Sequence, residues 1–284
     1  MIFEHEIPAN SKLYFGKSAK LKREIENSAA SLLEELGFSE IATPLFSYHQ
    51  HNTFDNDKLL IRVNDTFNSN ITLRADSTVD VVRIVTKRLN RVFNQKRWFY
   101  IQPVFTYPTN EQYQIGGELI KEDVIEAIKV ALKLLEKLDI KANFQIANIK
   151  IPYLLTQKYG FNLDDIKSLR LEKILQSSYK WIANLIKINK ASDLKDISSY
   201  PNDIKNELIK ILEIAQQIEC KNLLISPLYY APMRYYNSIV FRSFLKEDLY
   251  LTGGEYEIKD IKGAGFALYT DTIIAKKLKD IDEG

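Results

Sequence analysis

The stretch "RWFYIQPVFTYPTNEQYQIGGELI", residues 97–120, constrains the fold more than any other segment. Alternating aromatic and aliphatic residues run to a Pro-Thr-Asn break and resume in a second apolar run ending in a carboxylate, Glu118. Side chains of a strand point to opposite faces in turn, so this pattern predicts two long strands joined as a β-hairpin. A chain that contains such a hairpin has to build a sheet around it and cover that sheet with helices.

The flanking sequence supplies both. From Lys17 to Leu36, the positions Leu21, Ile25, Ala29, Leu32, Leu33 and Leu36 recur at helical spacing, and Gly37 follows as a stop. "GFSEIATPLFSY" predicts a short strand interrupted by Pro44, which has no N–H for a ladder and belongs at an edge, bulge or interface. "KLLIRVND" and "NITLRADS" read as two strands around a turn. Asp76, Ser77 and Thr78 then offer capping oxygens to a helix carrying Val79, Val82, Arg83, Thr86 and Leu89 on one face. After the hairpin, "EDVIEAIKVALKLLEKLDI" is a long helix, acidic in its first turn and lysine-rich toward its end, as the helix dipole favours. "ANFQIANIKI" reads as a further strand. Residues 151–220 change character, with helix-period patterns, a single Gly and many Lys, Leu and Ile. They predict a helical insertion into a core domain made of residues 1–150 and 221–284. "NLLISPLYY", "YYNSIVFRSFL", "LYLTGGEYE" and "GAGFALYT" return to strands with tight glycine turns, and "DTIIAKKLKDI" closes as a helix. The class predicted is α+β: a mixed, mainly antiparallel sheet packed by helices.

Composition excludes several roles. The 39 Lys and Arg against 37 Asp and Glu leave a formal charge of +2, too even to draw the whole chain onto nucleic acid or membrane. The single Cys220 excludes a disulfide framework and a Cys-based metal site. The histidines are His5, His49 and His51, the latter two in a polar "YHQHN" segment without a carboxylate cluster, so no metal is expected. "MIFEHEIPANSKLYFG" lacks the basic start and apolar run of a signal peptide, and no window approaches eighteen apolar residues. A cytoplasmic protein without a membrane span is expected.

Taken in order, the segments resemble the class II aminoacyl-tRNA synthetases over essentially the whole chain. "GFSEIATPLF" is similar to their interface motif, "TLRADST" to their substrate strand, "FYIQPVFTYP…YQIGGELI" to the second motif and "GAGFALYTDTI" to the third. "YYNSIVF" and "GGEYE" narrow the resemblance to histidyl-tRNA synthetase and to the regulatory subunits of ATP phosphoribosyltransferase, its paralogues. In the synthetases, an arginine of the second motif grips the α-phosphate of ATP and one of the third grips the γ-phosphate. The matching positions here are Thr106 and Thr272. A hydroxyl offers one neutral hydrogen bond where a guanidinium offers a fixed charge and a bidentate fork. Each lost donor is worth on the order of 10²–10³ in rate, so neither adenylate formation nor a cofactor is expected.

By the same resemblance, Asp76 and Thr78 match the acidic and hydroxyl positions near a bound amino group. Gln114 and Glu118 match residues lining the histidine ligand, and Tyr235 and Tyr236 match paired tyrosines. Carboxylates suit an ammonium or a protonated imidazole, and tyrosine supplies an apolar wall with a hydroxyl at its tip. The arginine that precedes the paired tyrosines is replaced by Ala231, with Arg234 as candidate substitute, and the arginine of the glycine-rich strand by Glu255. Plainer roles stand beside these. Glu118 could pair with Lys121 or cap the helix near Asp123, one of the alternating tyrosines could be core packing, and Arg83 could form a surface ion pair. Gly253, Gly254, Gly263 and Gly265 suit tight turns and close strand approach. The resemblance implies a non-catalytic subunit whose partner is the ATP phosphoribosyltransferase catalytic subunit and whose candidate ligand is L-histidine. It also implies a homodimer, with Ile41, Pro44 and Leu45 as interface candidates. The resemblance ends with the third motif near Gly284, so tRNA is not an expected partner. The alternative is a degenerate paralogue that acts as a structural or binding partner without sensing histidine.

Overall fold

A computed structural model describes residues 7–50, 53 and 57–283. Helix α1 (Gly16–Glu35) buries Ile25, Ala29 and Leu33, one residue per turn, and ends where Gly37 takes φ +81°. The expected strand around Pro44 is instead two short ones, β1 (Ser39–Glu40) and β2 (Phe46–Ser47), which join different sheets. Pro44 falls between them, where no ladder bond is required. Strands β3 (Arg62–Asn64) and β4 (Asn70–Leu73) pair antiparallel and, with β2, form a three-stranded sheet in the order β2-β4-β3. Helix α2 (Thr78–Lys87) follows; Asp76 Oδ1 accepts from Val79 N at 3.3 Å.

The hairpin forms as expected, with β5 (Arg97–Thr106) against β6 (Asn110–Ile120) and Thr106 opposite Asn110. Helix α3 (Val124–Lys137) starts at Asp123, whose side chain accepts from Ile125 N at 2.9 Å. Strand β7 (Asn143–Asn148) is shorter than "ANFQIANIKI" suggested. Asn148 Oδ1 accepts from Lys150 N at 3.0 Å, which turns the chain into helix α4 (Lys150–Gln157), with Pro152 in its first turn. Four further helices follow: α5 (Leu163–Lys167), α6 (Leu171–Leu175), α7 (Ile182–Lys187) and α8 (Asn202–Gln217). "NLLISPLYY" yields only the three residues of β8 (Leu223–Ile225). Strands β9 (Tyr236–Leu245), β10 (Asp248–Ile258) and β11 (Ile261–Tyr269) precede helix α9 (Thr270–Glu283).

The main sheet has eight strands in the order β1-β5-β6-β11-β10-β9-β7-β8, antiparallel except at its two ends, where β1 pairs with β5 and β7 with β8 in parallel. One correction concerns the glycines. The β10–β11 turn is Lys259-Asp260, both at positive φ, while Gly253, Gly254, Gly263 and Gly265 lie inside the strands. They serve close approach alone: a Cβ on Gly265 would meet Glu118 Oε2 at 2.2 Å.

Helices α1, α3 and α9 cover one face of the sheet, packing Ala29, Ile128, Leu134 and Ile273 with Phe99, Ile115, Leu119 and Phe266. Buried residues of α4 to α8, among them Leu155, Ile166, Leu185, Leu208 and Ile211, join the same apolar cluster alongside Phe144 and Ile146. On the opposite face, Val79, Val82 and Val85 of α2 pack with Trp98, Tyr100, Tyr235 and Tyr256. That face is polar at its centre, and the candidate site forms there.

Candidate ligand-binding site

Strand pairing brings the polar residues together. Register sets Gln114 opposite Tyr269, Glu118 opposite Gly265, and Thr252 opposite Ala267. The start of α2 brings Asp76 and Thr78 over this surface, and the segment before β9 brings Met233, Tyr235 and Tyr236. Together with Tyr256, Gly265, Phe266, Ala267 and Tyr269 they enclose an inner cavity of about 30 Å³, room for about a water or two. The tyrosine rings meet edge to face, with centroids 4.9 Å apart for Tyr235 and Tyr236 and 6.4 Å for Tyr235 and Tyr256.

Two carboxyl groups define the electrostatics. Tyr235 Oη donates to Asp76 Oδ2 at 3.0 Å, and burial outweighs this bond and the Val79 N–H, pushing the Asp76 carboxyl up to about 6. Glu118 is completely buried behind Thr78, Tyr256 and Gly265, and burial pushes its carboxyl well above the usual range. Thr78 and Tyr256 stand beside it, yet neither Glu118 oxygen makes a hydrogen bond of normal geometry, and the Tyr256 hydroxyl is likewise unpartnered. Glu118 neither pairs with Lys121 nor caps α3, which Asp123 caps. Unsatisfied buried polar atoms cost about 1–3 kcal/mol each, and a carboxyl whose pKa is pushed up by burial is held toward its neutral form, here beside the cavity and outside its lining.

The remaining sequence candidates lie around this centre. Tyr235 and Tyr236 both line the cavity, so alternation does not turn either one away from it. Arg234 lines a separate, wider recess of about 430 Å³ on the other side of Tyr235, with His49, Arg83, Glu257 and Lys259. Arg83 Nη2 donates to His49 Nε2 at 2.6 Å, and burial with the Arg83 charge lowers the His49 pKa. His5 and His51 lie outside the described residues. Among the described residues no group of three or more His, Cys, Asp or Glu is arranged to hold a metal, and no helix is long and apolar enough to cross a membrane. Thr106 ends β5 and Thr272 sits in the first turn of α9; neither lines the cavity. Ile41 is buried with Trp98 and Val79 in its own chain, whereas Pro44 and Leu45 are exposed beside Phe46 and Tyr48, which are 56% and 54% exposed. Sequence reasoning missed Met233, Thr252, Tyr256 and Tyr269. The signal was present in "YLTGGEY", where period two puts Thr252 and Tyr256 on one face.

A saturated polar hub holds the pocket from behind. Arg74, 1% exposed, donates to Pro103 O at 3.0 and 2.7 Å, Thr43 O at 2.8 Å, Thr43 Oγ1 at 3.2 Å and Pro44 O at 3.2 Å. Gln102 Nε2 donates to Ser77 Oγ at 2.9 Å and its Oε1 accepts from Thr43 N at 3.1 Å. Gln50 Nε2 donates to Asp76 O at 2.9 Å and to Asp80 Oδ2 at 2.7 Å, while its Oε1 accepts from Asp76 N at 3.0 Å. The backbone of Asp76 is thus fixed independently of anything in the pocket.

A helix-backed, mainly antiparallel sheet with a carboxylate and tyrosine pocket under α2 is the scaffold of a histidyl-tRNA synthetase-like protein, and the family described as Histidyl-tRNA synthetase matches residues 15–273. The solved ATP phosphoribosyltransferase regulatory subunit/histidyl-tRNA synthetase from Bacillus halodurans shares the fold, with a TM-score of 0.82 at 17% identity over 97% of this chain and 84% of that one. Two relatives are nearer in sequence. The ATP phosphoribosyltransferase regulatory subunit of Wolinella succinogenes is 44% identical, over 98% of each chain, and that of Helicobacter hepaticus is 38% identical, over 96% of this chain and 98% of its own. This chain belongs to the ATP phosphoribosyltransferase regulatory subunit family.

Proposed function

We propose that the chain is the non-catalytic regulatory subunit of ATP phosphoribosyltransferase in histidine biosynthesis, working with the catalytic subunit that transfers phosphoribosyl to ATP. The observation that carries this is 44% identity to a regulatory subunit along 98% of both chains. Thr106 and Thr272 support the absence of ligase chemistry, since neither supplies a charge for ATP phosphates. L-histidine is the ligand that kinship points to, and Asp76, Thr78, Gln114, Glu118, Tyr235 and Tyr236 are the residues proposed to receive it. The mechanism is a coupling free energy: whatever occupies the pocket and whatever binds the catalytic subunit affect each other equally. Pro44 and Leu45, exposed beside Phe46 and Tyr48, support a homodimer through that face. The cytoplasm, where the substrates of such an enzyme are made, is the proposed location.

The deciding experiment combines the purified chain with the catalytic subunit and follows phosphoribosyl-ATP formation. Stimulation or histidine-dependent inhibition that appears only when this chain is present supports the reading; unchanged activity and no co-elution of the two proteins sink it. The chain alone should give no amino-acid-dependent ATP–pyrophosphate exchange, and sedimentation should give the mass of two chains.

A further inference from the structure

The recess beyond Tyr235 differs from the inner cavity in size and in charge. Its volume of about 430 Å³ falls in the range of small-molecule sites, roughly 300–1,000 Å³. Three segments contribute polar residues to it: Thr53 from the chain after β2, Arg83 from α2 and Lys259 from the β10–β11 turn. Arg83 donates to His49 Nε2, and a guanidinium has no lone pair to offer in return, so the imidazole is the neutral acceptor and leaves the Arg83 charge uncancelled. Among the described residues neither Arg83 nor Lys259 makes an ion pair.

The nearby carboxylates are already engaged. Asp80, whose charge reaches both His49 and Arg83, does not line the recess, and its two oxygens accept from Ser47 Oγ and Gln50 Nε2 at 2.7 Å each. Glu257 does line it, but accepts from Asn237 Nδ2 at 3.2 Å and faces Lys262 at 3.9 Å. Thr53 is the opposite case. It is 1% exposed and lines the recess, yet its Oγ1 has no hydrogen-bond partner. A buried hydroxyl normally has one, and an oxygen of a ligand seated in the recess would supply it.

We propose that this recess is a second ligand site, for a small phosphate-bearing anion. A phosphate monoester carries about two negative charges at neutral pH and three acceptor oxygens that point apart. It can therefore take the Arg83 fork, the Lys259 charge and the Thr53 hydroxyl together. A carboxylate, with one charge and two oxygens in one plane, leaves part of that set unmatched. Val79, Ile258 and Tyr235 give the recess an apolar wall, which suits a compact apolar body on the ester. Tyr235 lines both spaces and donates to Asp76 on the inner side, but the site stands whether or not the inner cavity takes histidine.

The test is isothermal titration calorimetry of the full chain, in its own oligomeric state and in about 0.15 M salt, with phenyl phosphate, inorganic phosphate and benzoate. The expected result is saturable binding of phenyl phosphate with a Kd of about 1 mM or below, and benzoate at least about tenfold weaker. The imidazole proton signal of His49, identified by its loss in His49→Gln, should shift with the same saturation. Arg83→Gln should weaken phenyl phosphate by about tenfold or more with unchanged circular dichroism. Lys259→Asn, whose new side chain accepts the positive φ of that turn position, should weaken it several-fold and carries the test if the α2 variant does not fold. Tighter binding of the ester assigns the site to phosphate esters, and equal affinities assign it to free phosphate; either upholds it. Benzoate binding as tightly as phenyl phosphate, no saturable binding up to about 10 mM, or an affinity unchanged in a folded variant of Arg83 or Lys259 would overturn it.

Discussion

Arg74 and Glu118 are both fully buried ionisable residues near the same pocket, and their surroundings could hardly differ more. The guanidinium of Arg74 makes five hydrogen bonds to Pro103, Thr43 and Pro44, with no carboxylate among its partners. Burial lowers its pKa, but the carbonyl oxygens replace the water it has lost. Glu118 stands beside Thr78 and Tyr256, and neither of its oxygens makes a hydrogen bond of normal geometry. The first arrangement is complete within the folded chain and needs nothing more. The second is unsatisfied, and burial answers it by holding the carboxyl toward its neutral form.

Arg74→Met is the harshest way to break that contrast. It leaves the carbonyls of Thr43, Pro44 and Pro103 without their shared donor, at about 1–3 kcal/mol for each buried acceptor, so the chain should lose at least about 3 kcal/mol of stability. Urea denaturation followed by tryptophan fluorescence measures this directly, because Trp98 is buried against α2. A midpoint equal to that of the parent would mean that Arg74 is not the hub described above.

The contrast also explains what was readable in the sequence. The hairpin, α1, α3 and the closing strands follow from periodicity, because each buries a continuous apolar face whose spacing is local. Asp76, Thr78, Gln114, Tyr235 and Tyr236 are singled out by motif, and the start of α2, strand β6 and the segment entering β9 bring them to one cavity. Arg74 sits inside "TLRADST" and gave no hint of its role, since its partners Thr43 and Pro103 are about thirty residues away on either side. Arg234 was proposed from nearness in sequence to the paired tyrosines, and adjacency along the chain is uninformative where neighbouring side chains face different recesses. The short β1 and β2 were illegible for a similar reason: two-residue strands have no period, and only Pro44 hinted at the break.

A milder probe is the pH dependence of stability. The native Asp76 pKa of about 6 lies above the ordinary value of 3.8, so the folded chain holds this proton more tightly than the unfolded one. The resulting stabilisation is fully present below pH 3.8 and is lost as pH rises through 6, a fall of up to about 3 kcal/mol. Exposed carboxyls with lowered pKa values, such as Asp65 and Asp193, act in the opposite direction, so the informative quantity is a difference. Between pH 4 and 7, Asp76→Asn should gain stability relative to the parent as pH rises. A constant difference between the two chains across that range would place the Asp76 carboxyl in an ordinary, solvated environment and remove it from the pocket.

The smallest effect gives the most specific test. Glu118→Met fills similar space with a side chain that needs no hydrogen bond, so it should stabilise the empty chain by about 1–2 kcal/mol, opposite in sign to the loss at Arg74. Thermal melts without ligand should therefore place the variant above the parent. Saturating L-histidine should reverse the order. A ligand present at a hundredfold excess over its Kd stabilises the state that binds it by about 2.7 kcal/mol, and only the parent keeps the Glu118 carboxyl beside the pocket. A variant that melts below the parent without ligand would show that Glu118 has stabilising partners in solution, and the distinction between a satisfied buried group and an unsatisfied one would fail. A variant that still gains from L-histidine as much as the parent would keep that distinction but leave the ligand's contact to Asp76 and the tyrosines alone.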